Sequence, residues 1–446
     1  MVAGIEGVSK IPELRKRVLF TLGMLAVYRF GVYVSTPGID VEALKRMFDT
    51  TDGSLFGLVN MFSGGALEQF SIFTLGIMPY ISVSIIMQLL SSSIPSLERL
   101  KKDGEQGRRI ITRYTRQFTV LLALFQGVMI AIGLEGQGVV LSPGWSFRIT
   151  TAITLAAGTA FIMWIGEQIN EKGIGNGMSV VVFAGIVAKM PETFLSTLVL
   201  ARNQEVAPLT ILIVLAFCFL TVAGIVFVER AHRRIPVQYP RRMVGNQMTQ
   251  AQTQYMPLKV NMAGVIPPIF ASAFLVLPAT IASMSTNETL ADFMSYLTPG
   301  TWVYSLVFMA LIIFFSFFYT SMIFNPPEVA ENLKKNGGFI PTVRPGKQTA
   351  DFFYSVLNRL TLWGAVYISL ICIVPQLIYI NLGVVSFAYI FGGTSVLIAV
   401  GVILDTVSQI ESHIVARNYE DFMGKNTKAK GGIGSMGYTR SRLLRR

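Results

Sequence analysis

Ten apolar runs recur along this 446-residue chain, near 18–36, 70–90, 116–134, 149–169, 178–199, 208–228, 262–283, 302–324, 358–380 and 386–410. A helix needs about 20 apolar residues to cross a hydrocarbon core of roughly 30 Å. A soluble protein of this length would build its cores without unbroken spans of that length. Charged residues make up only 14% of the chain, against roughly a quarter in soluble domains. The pattern therefore predicts an all-α polytopic membrane protein with ten transmembrane helices. The run at 178–199 is the weakest, because Lys189, Pro191 and Glu192 interrupt it. Parity retains it: without that crossing the later basic loops change sides.

The distribution of cations sets the orientation. Of 37 Lys and Arg residues, only Arg29, Lys45, Arg46, Arg148, Lys189 and Arg202 fall outside six segments that ten spans place on one face. Those segments are the N-terminal arm, 98–116, the short link at 167–177, 229–260, 325–359 and the tail. Basic loops stay on the cytoplasmic side, so both termini are expected inside. The first run continues into Tyr33-Val34-Ser35-Thr36-Pro37 without a small-x-small cleavage pattern, so it reads as a retained span. Cys218 and Cys372 both lie within apolar runs and read as small buried hydrophobes.

Two basic loops, 229–260 and 325–359, exceed what a connection needs. Their cations can orient the chain, attract anionic lipid headgroups, contact nucleic-acid phosphates or dock a protein. Both loops mix charge with turn formers and bulky apolar residues, as in Arg233-Arg234-Ile235-Pro236-Val237 and Gly337-Gly338-Phe339-Ile340-Pro341. That content, strand-like around 233–237, favours docking to a large cytoplasmic partner over plain linkage. The outer segment 37–69 is too short to span and too apolar for water, and the Gly64-Gly65 pair weakens a helix there by about 1 kcal/mol per glycine. It suits a protein-lined cavity, as a re-entrant surface helix or as a movable element.

The interior offers little for catalysis. The only histidines are His232 and His413, both near ends of spans, and Gly173-Ile174-Gly175-Asn176-Gly177 lacks the Lys-Ser or Lys-Thr of a phosphate loop. An ion-coupled solute transporter is the rival reading. Arg29, Asp405 and Glu411 are its candidate charges, Gln88 and Gln126 its candidate polar groups, and two halves of five spans suit its architecture. In the second run Ile77 and Ile81 share a helical face. That stripe either faces lipid or, turned inward, forms an aliphatic constriction that bars water and ions.

FSIFTLGIMPYISVSIIMQLL at 70–90, GEQINEKGIGNGMSVVVFAGIVAKMP at 166–191, RRIPVQYP at 233–240, PLKVNMAGVIPPIFAS at 257–272, NPPEVAENLKKNGGFIPTVRPG at 325–346 and FGGTSVLIAVGVILDTVSQIE at 391–411 resemble the SecY family of protein-conducting pore subunits. The resemblance covers essentially residues 10–425. It implies a non-enzymatic channel of two pseudo-symmetric five-helix halves, 1–205 and 206–425, around a central hourglass, with 426–446 as a basic tail.

The family's pore ring falls on Ile77, Ile81, Val182, Ile269 and Ile398, with valine at 182 where isoleucine is common, and so implies a slightly looser seal. Its plug falls near 57–69, on Leu58, Met61, Phe62, Gly64, Gly65, Ala66 and Leu67. The cytoplasmic docking loops, 229–260 and 325–358, carry Arg233, Arg234, Arg241, Arg242, Lys259, Lys334, Lys335, Arg344 and Lys347. Implied partners are SecE-like and SecG-like small membrane subunits, the SecA motor ATPase, the ribosome with its RNA, signal peptides and nascent polypeptides, and anionic lipids. No cofactor is implied, and the implied location is the bacterial plasma membrane. A lateral gate is expected between the second and third spans and the seventh and eighth.

Overall fold

The computed structural model describes residues 11–44, 63–136, 138–203, 207–239, 243–244, 247–248, 252–283, 301–382, 387 and 391–431. Helices follow every apolar run: α1 (Pro12–Val32), α2 (Met78–Ser93), α3 (Pro95–Lys102), α4 (Glu105–Glu135), α5 (Trp145–Lys172), α6 (Gly177–Arg202) and α7 (Pro208–Glu229) in the first part. After a β-hairpin come α8 (Ile266–Ser283), α9 (Trp302–Ile323), α10 (Pro326–Lys335), α11 (Lys347–Asn381) and α12 (Gly393–Gly431). Proline opens α1, α3, α7 and α10, at the turn where its missing N–H costs nothing. Thr301 caps α9 by accepting from the Tyr304 N–H at 3.2 Å.

Among the described residues, seven helices are long and apolar enough to cross a membrane, and an eighth crossing arises if α2 and α3, bent by 102°, count as one. One run departs from the sequence expectation. The second run turns helical only at Met78, because positive φ at Phe70 and Gly76 keeps residues 70–77 in consecutive turns and Pro79 starts the helix.

The packing of α4 explains why lipid is the solvent. Thr115, Thr119, Ala123, Gly127 and Ala131, each one turn apart, form its buried face. They meet α5 at Ala152, and a Cβ added to Gly127 would lie 2.9 Å from the Ala152 Cα. Phe118, Leu121 and Phe125 point outward. Small residues within and large apolar ones without is the arrangement of helices that associate by close backbone approach while lipid bathes the rest. On α7, Phe219 and Phe227 are 77% and 79% exposed, which water would not tolerate on this scale.

The basic segments gather at one end. There the Gly175 N–H donates to Gln409 of α12, the Ile174 N–H to Thr21 of α1, and Lys259 pairs with Asp405 at 3.5 Å. At the opposite end, Ile39 bridges Val140, Thr36 N–H donates to the Phe70 carbonyl, and Arg148 holds Glu135 at 2.8 Å.

The two long loops form one folded unit. Strand β1 (His232–Tyr239) pairs antiparallel with β4 (Gln252–Lys259) from His232↔Lys259 to Tyr239↔Gln252, and short strands β2 (Met243–Val244) and β3 (Gln247–Met248) pair at the tip. The second loop joins the edge of β1: Gln238 and Phe339 exchange backbone hydrogen bonds of 2.8 and 3.0 Å. Ile235, Leu258 and Ile340 then share an apolar core with Phe353, Val356 and Leu360 at the start of α11.

Candidate functional site

The five aliphatic positions singled out above converge. Ile77 caps the N-terminus of α2 and Ile81 lies within it, Val182 comes from α6, Ile269 from α8 and Ile398 from α12, and all five belong to one hydrophobic cluster. Ile77, Val182 and Ile398 are buried, while Ile81 and Ile269 are partly buried against them. Two of the helices precede residue 206 and two follow it, so the cluster joins early and late parts of the chain. Ile81 N–H donates to the Ile77 carbonyl at 3.1 Å, so the first helical turn sets the pair one above the other. Ile186, one turn beyond Val182, and Val402, one turn beyond Ile398, extend the same apolar layer.

The segment at 63–76 packs against this constriction. Residues 63–67 are all buried, and Ala66 is itself part of the cluster. Ala66 packs into the cluster, Gly64 and Gly65 lie against Gly185 and Lys189 of α6, and Leu67 is buried, whereas Leu58, Met61 and Phe62 fall outside the described residues. Gly64 needs its glycine twice over: φ is +68°, and a Cβ would sit 2.8 Å from the Gly185 Cα on α6. Ser71 N–H and the Thr74 hydroxyl both donate to the Ala66 carbonyl, folding the segment on itself. Phe73 anchors its far end, stacked between Tyr28 and Phe161 and lying where Gly31 has no side chain.

Three side chains tie this segment to the helices. Arg29 of α1 donates to the Gly64 carbonyl at 2.6 Å, Tyr28 donates to the Ser63 carbonyl at 3.2 Å, and Lys189 of α6 pairs with Glu68 at 2.6 Å. Arg29 and Lys189 were visible in the sequence as lone cations in apolar runs, but their partners were not. The Arg29 acceptor is a backbone carbonyl, which leaves no complementary charge to find. Arg29 also stacks on Tyr33, and Asp405 pairs with Lys259 at the basic end. The two foremost charges of the transporter reading are thus engaged in structural contacts.

Between α2, α4 and α9, towards the basic end, lies a cavity of about 870 Å³ lined by Tyr80, Ser84, Gln88, Ser91, Arg108, Thr112 and Tyr319, among others. Deeper along the same seam Ile85 of α2 closes on Phe270 and Leu275 of α8 and on Phe315 of α9.

At the basic end, Arg233, Arg234, Lys259, Lys334, Lys335, Arg344 and Lys347 are all exposed on the joined loops. Arg241 and Arg242 lie outside the described residues. Thr349 donates to the Arg344 carbonyl at 2.9 Å, tying that arginine's backbone to the start of α11, and Thr342 nearby holds a positive φ of 74°. Gly338 lets the second loop lie against Tyr239, 3.0 Å from where its Cβ would be.

A family model described as SecY matches residues 71–407. The chain is also 47% identical to the protein translocase subunit SecY of Escherichia coli strain K12 over 428 residues, covering 94% of this chain and 96% of that one. The chain belongs to the SecY family. Its architecture agrees with solved structures at 16% identity. A SecY described by its plug domain, which stabilises the closed state of the translocation channel and maintains a membrane seal, superposes with a TM-score of 0.65 over 89% of this chain and 92% of that one. Sec61 in the canine ribosome–channel complex from the endoplasmic reticulum superposes at 0.63 with the same coverage. As a SecY-family member the protein is a non-catalytic polypeptide channel, which sets aside the ion-coupled transporter.

Proposed function

We propose that the chain is the pore subunit of a bacterial plasma-membrane translocase, passing unfolded polypeptide between two five-helix halves, 1–205 and 206–425. Its ten crossings include α1 and α8, and both termini and the joined loops face the cytoplasm, as the positive-inside bias demands. The observation that carries this reading is the convergence of Ile77, Ile81, Val182, Ile269 and Ile398 beneath the folded 63–76 segment. A ring of aliphatic side chains excludes water when closed and offers a passing chain no hydrogen bond to hold it. The segment packed against it, the described part of a plug expected near 57–69, stops the outer mouth of the ring.

The seam between α2/α4 and α8/α9 serves as lateral gate. An apolar stretch arriving there gains about 0.8 kcal/mol per CH₂ by entering lipid, whereas a polar stretch stays in the aqueous path. The cavity beside Gln88 and Arg108 receives the stretch before it crosses the seam.

The exposed cations of the joined loops bind a SecA-type motor or the ribosome, with attraction to RNA phosphates that weakens with salt. The relative in the canine ribosome–channel complex supports this placement. SecE-like and SecG-like subunits brace the halves, and anionic lipids meet the basic rim.

The ring is tested in proteoliposomes containing the whole translocase. Replacing Ile81 and Ile398 by Asn puts amides into a dry layer and raises export of a preprotein with a weakened signal sequence. Unchanged export of that substrate overturns the ring assignment.

A further inference from the structure

Lys189 sits beneath the plug in an unusual position. Its side chain is 10% exposed, and its Nζ lies 2.6 Å from Glu68 on the plug segment and 3.5 Å from Glu192 on its own helix. The lysine stem passes directly under Gly65, where a Cβ would come within 2.5 Å of its Cε. The cation is therefore trapped under the plug backbone and shared between one carboxylate that travels with the plug and one that stays with α6. A buried ammonium that loses its partner is costly unless another anion replaces it.

We propose that Lys189 is a transfer latch. It pairs with Glu68 while the plug is seated and passes to Glu192, three residues further along α6, when the plug leaves. The proposal rests on the plug reading of 63–76. Glu68 stabilises the shut channel, and Glu192 stabilises the open one by accepting the cation that the departing plug abandons. The two carboxylates share one lysine yet act on gating with opposite sign. They thereby set how apolar a signal must be to unseat the plug. Arg29 adds a second tether at the Gly64 carbonyl, its other contacts being the hydroxyl and ring of Tyr33 on the same helix end.

The test uses complete translocase in proteoliposomes, reading the ion leak of the idle channel and export of a preprotein with a weakened signal. Glu68→Gln raises both by about tenfold, the scale of one charge-assisted hydrogen bond. Glu192→Gln lowers both by about twofold, smaller because that carboxylate is 69% exposed and screened. Glu68→Asp, which keeps the charge on a shorter stem, falls between wild type and Glu68→Gln. Export of a preprotein with an intact signal and the amount of inserted chain stay level, separating latch effects from misfolding. A Glu68→Gln channel as tight as wild type, or a Glu192→Gln channel that fails to tighten, overturns the latch. Ile81→Asn serves as the arm for the underlying reading: if it raises the leak while Glu68→Gln does not, the latch alone fails, and if neither does, the plug and ring reading fails with it.

Discussion

At the scale of single residues, the proposed constriction and plug depend on groups chosen for what they lack. Gly64 lacks a Cβ, and the space that a Cβ would take belongs to the backbone of Gly185. Alanine there carries about 1–2 kcal/mol of left-handed strain, and the backbone on the other side cannot yield as a flexible side chain would. Gly64→Ala therefore unseats the plug in a larger share of idle channels, read as a roughly tenfold higher ion conductance with unchanged chain levels. The sequence pattern showed Ile77 and Ile81 as a stripe but not which way it faced. Direction is a tertiary property, decided here by Val182 and Ile398 arriving from other helices. Glu68 is not legible in the sequence for a related reason: Lys189 lies 121 positions away, beyond any local spacing rule. Val182 is buried at 3%, as deeply as Ile77, so the shorter side chain still packs within the same apolar cluster.

At the scale of elements, the basic loops are better described as one small domain than as two. Length and composition marked both as more than linkers, and the strand-like content of 233–237 was legible. Their union was not, because it rests on the Gln238–Phe339 bridge across a hundred residues of chain and on an apolar core no segment contains alone. Ile340 is 4% exposed in that core. Ile340→Ala removes three carbons from it at a cost of about 2–4 kcal/mol, loosening the loops without touching a span. The expected outcome is faster proteolysis within 229–260 and 325–358 and reduced stimulation of the motor's ATP turnover, at normal membrane levels. Arg344→Glu leaves the core intact and reverses one exposed charge, so it lowers motor stimulation with no change in proteolysis. The pair of variants separates the scaffold from the surface it presents.

At the scale of the whole molecule, the ten apolar runs were the most legible feature, because lipid demands continuous hydrophobicity from any crossing helix. The second run is helical over less of its length than its composition implies. Its first eight residues are as apolar as a span yet serve as packed turns, where glycine and Phe70 at positive φ outweigh composition. Orientation follows from charge, and it is measurable. Leu141, 72% exposed at the end opposite the basic loops, and Ser412, exposed on α12 beyond Asp405, mark the two faces. With cysteine at one site at a time, a membrane-impermeant maleimide added to intact cells labels Leu141→Cys and spares Ser412→Cys, and inverted vesicles reverse the result. Labelling of both from the same side would overturn the ten-crossing topology.

The joined loops spring only from α7 to α11, all within the second half of the chain. In the proposed docking, whatever grips them takes hold of the second half of the chain and reaches the first through shared contacts such as Gly175 with Gln409 and the aliphatic cluster. A push therefore enters on one side of the proposed gate, so the force that feeds a polypeptide inward also loads the seam in front of it.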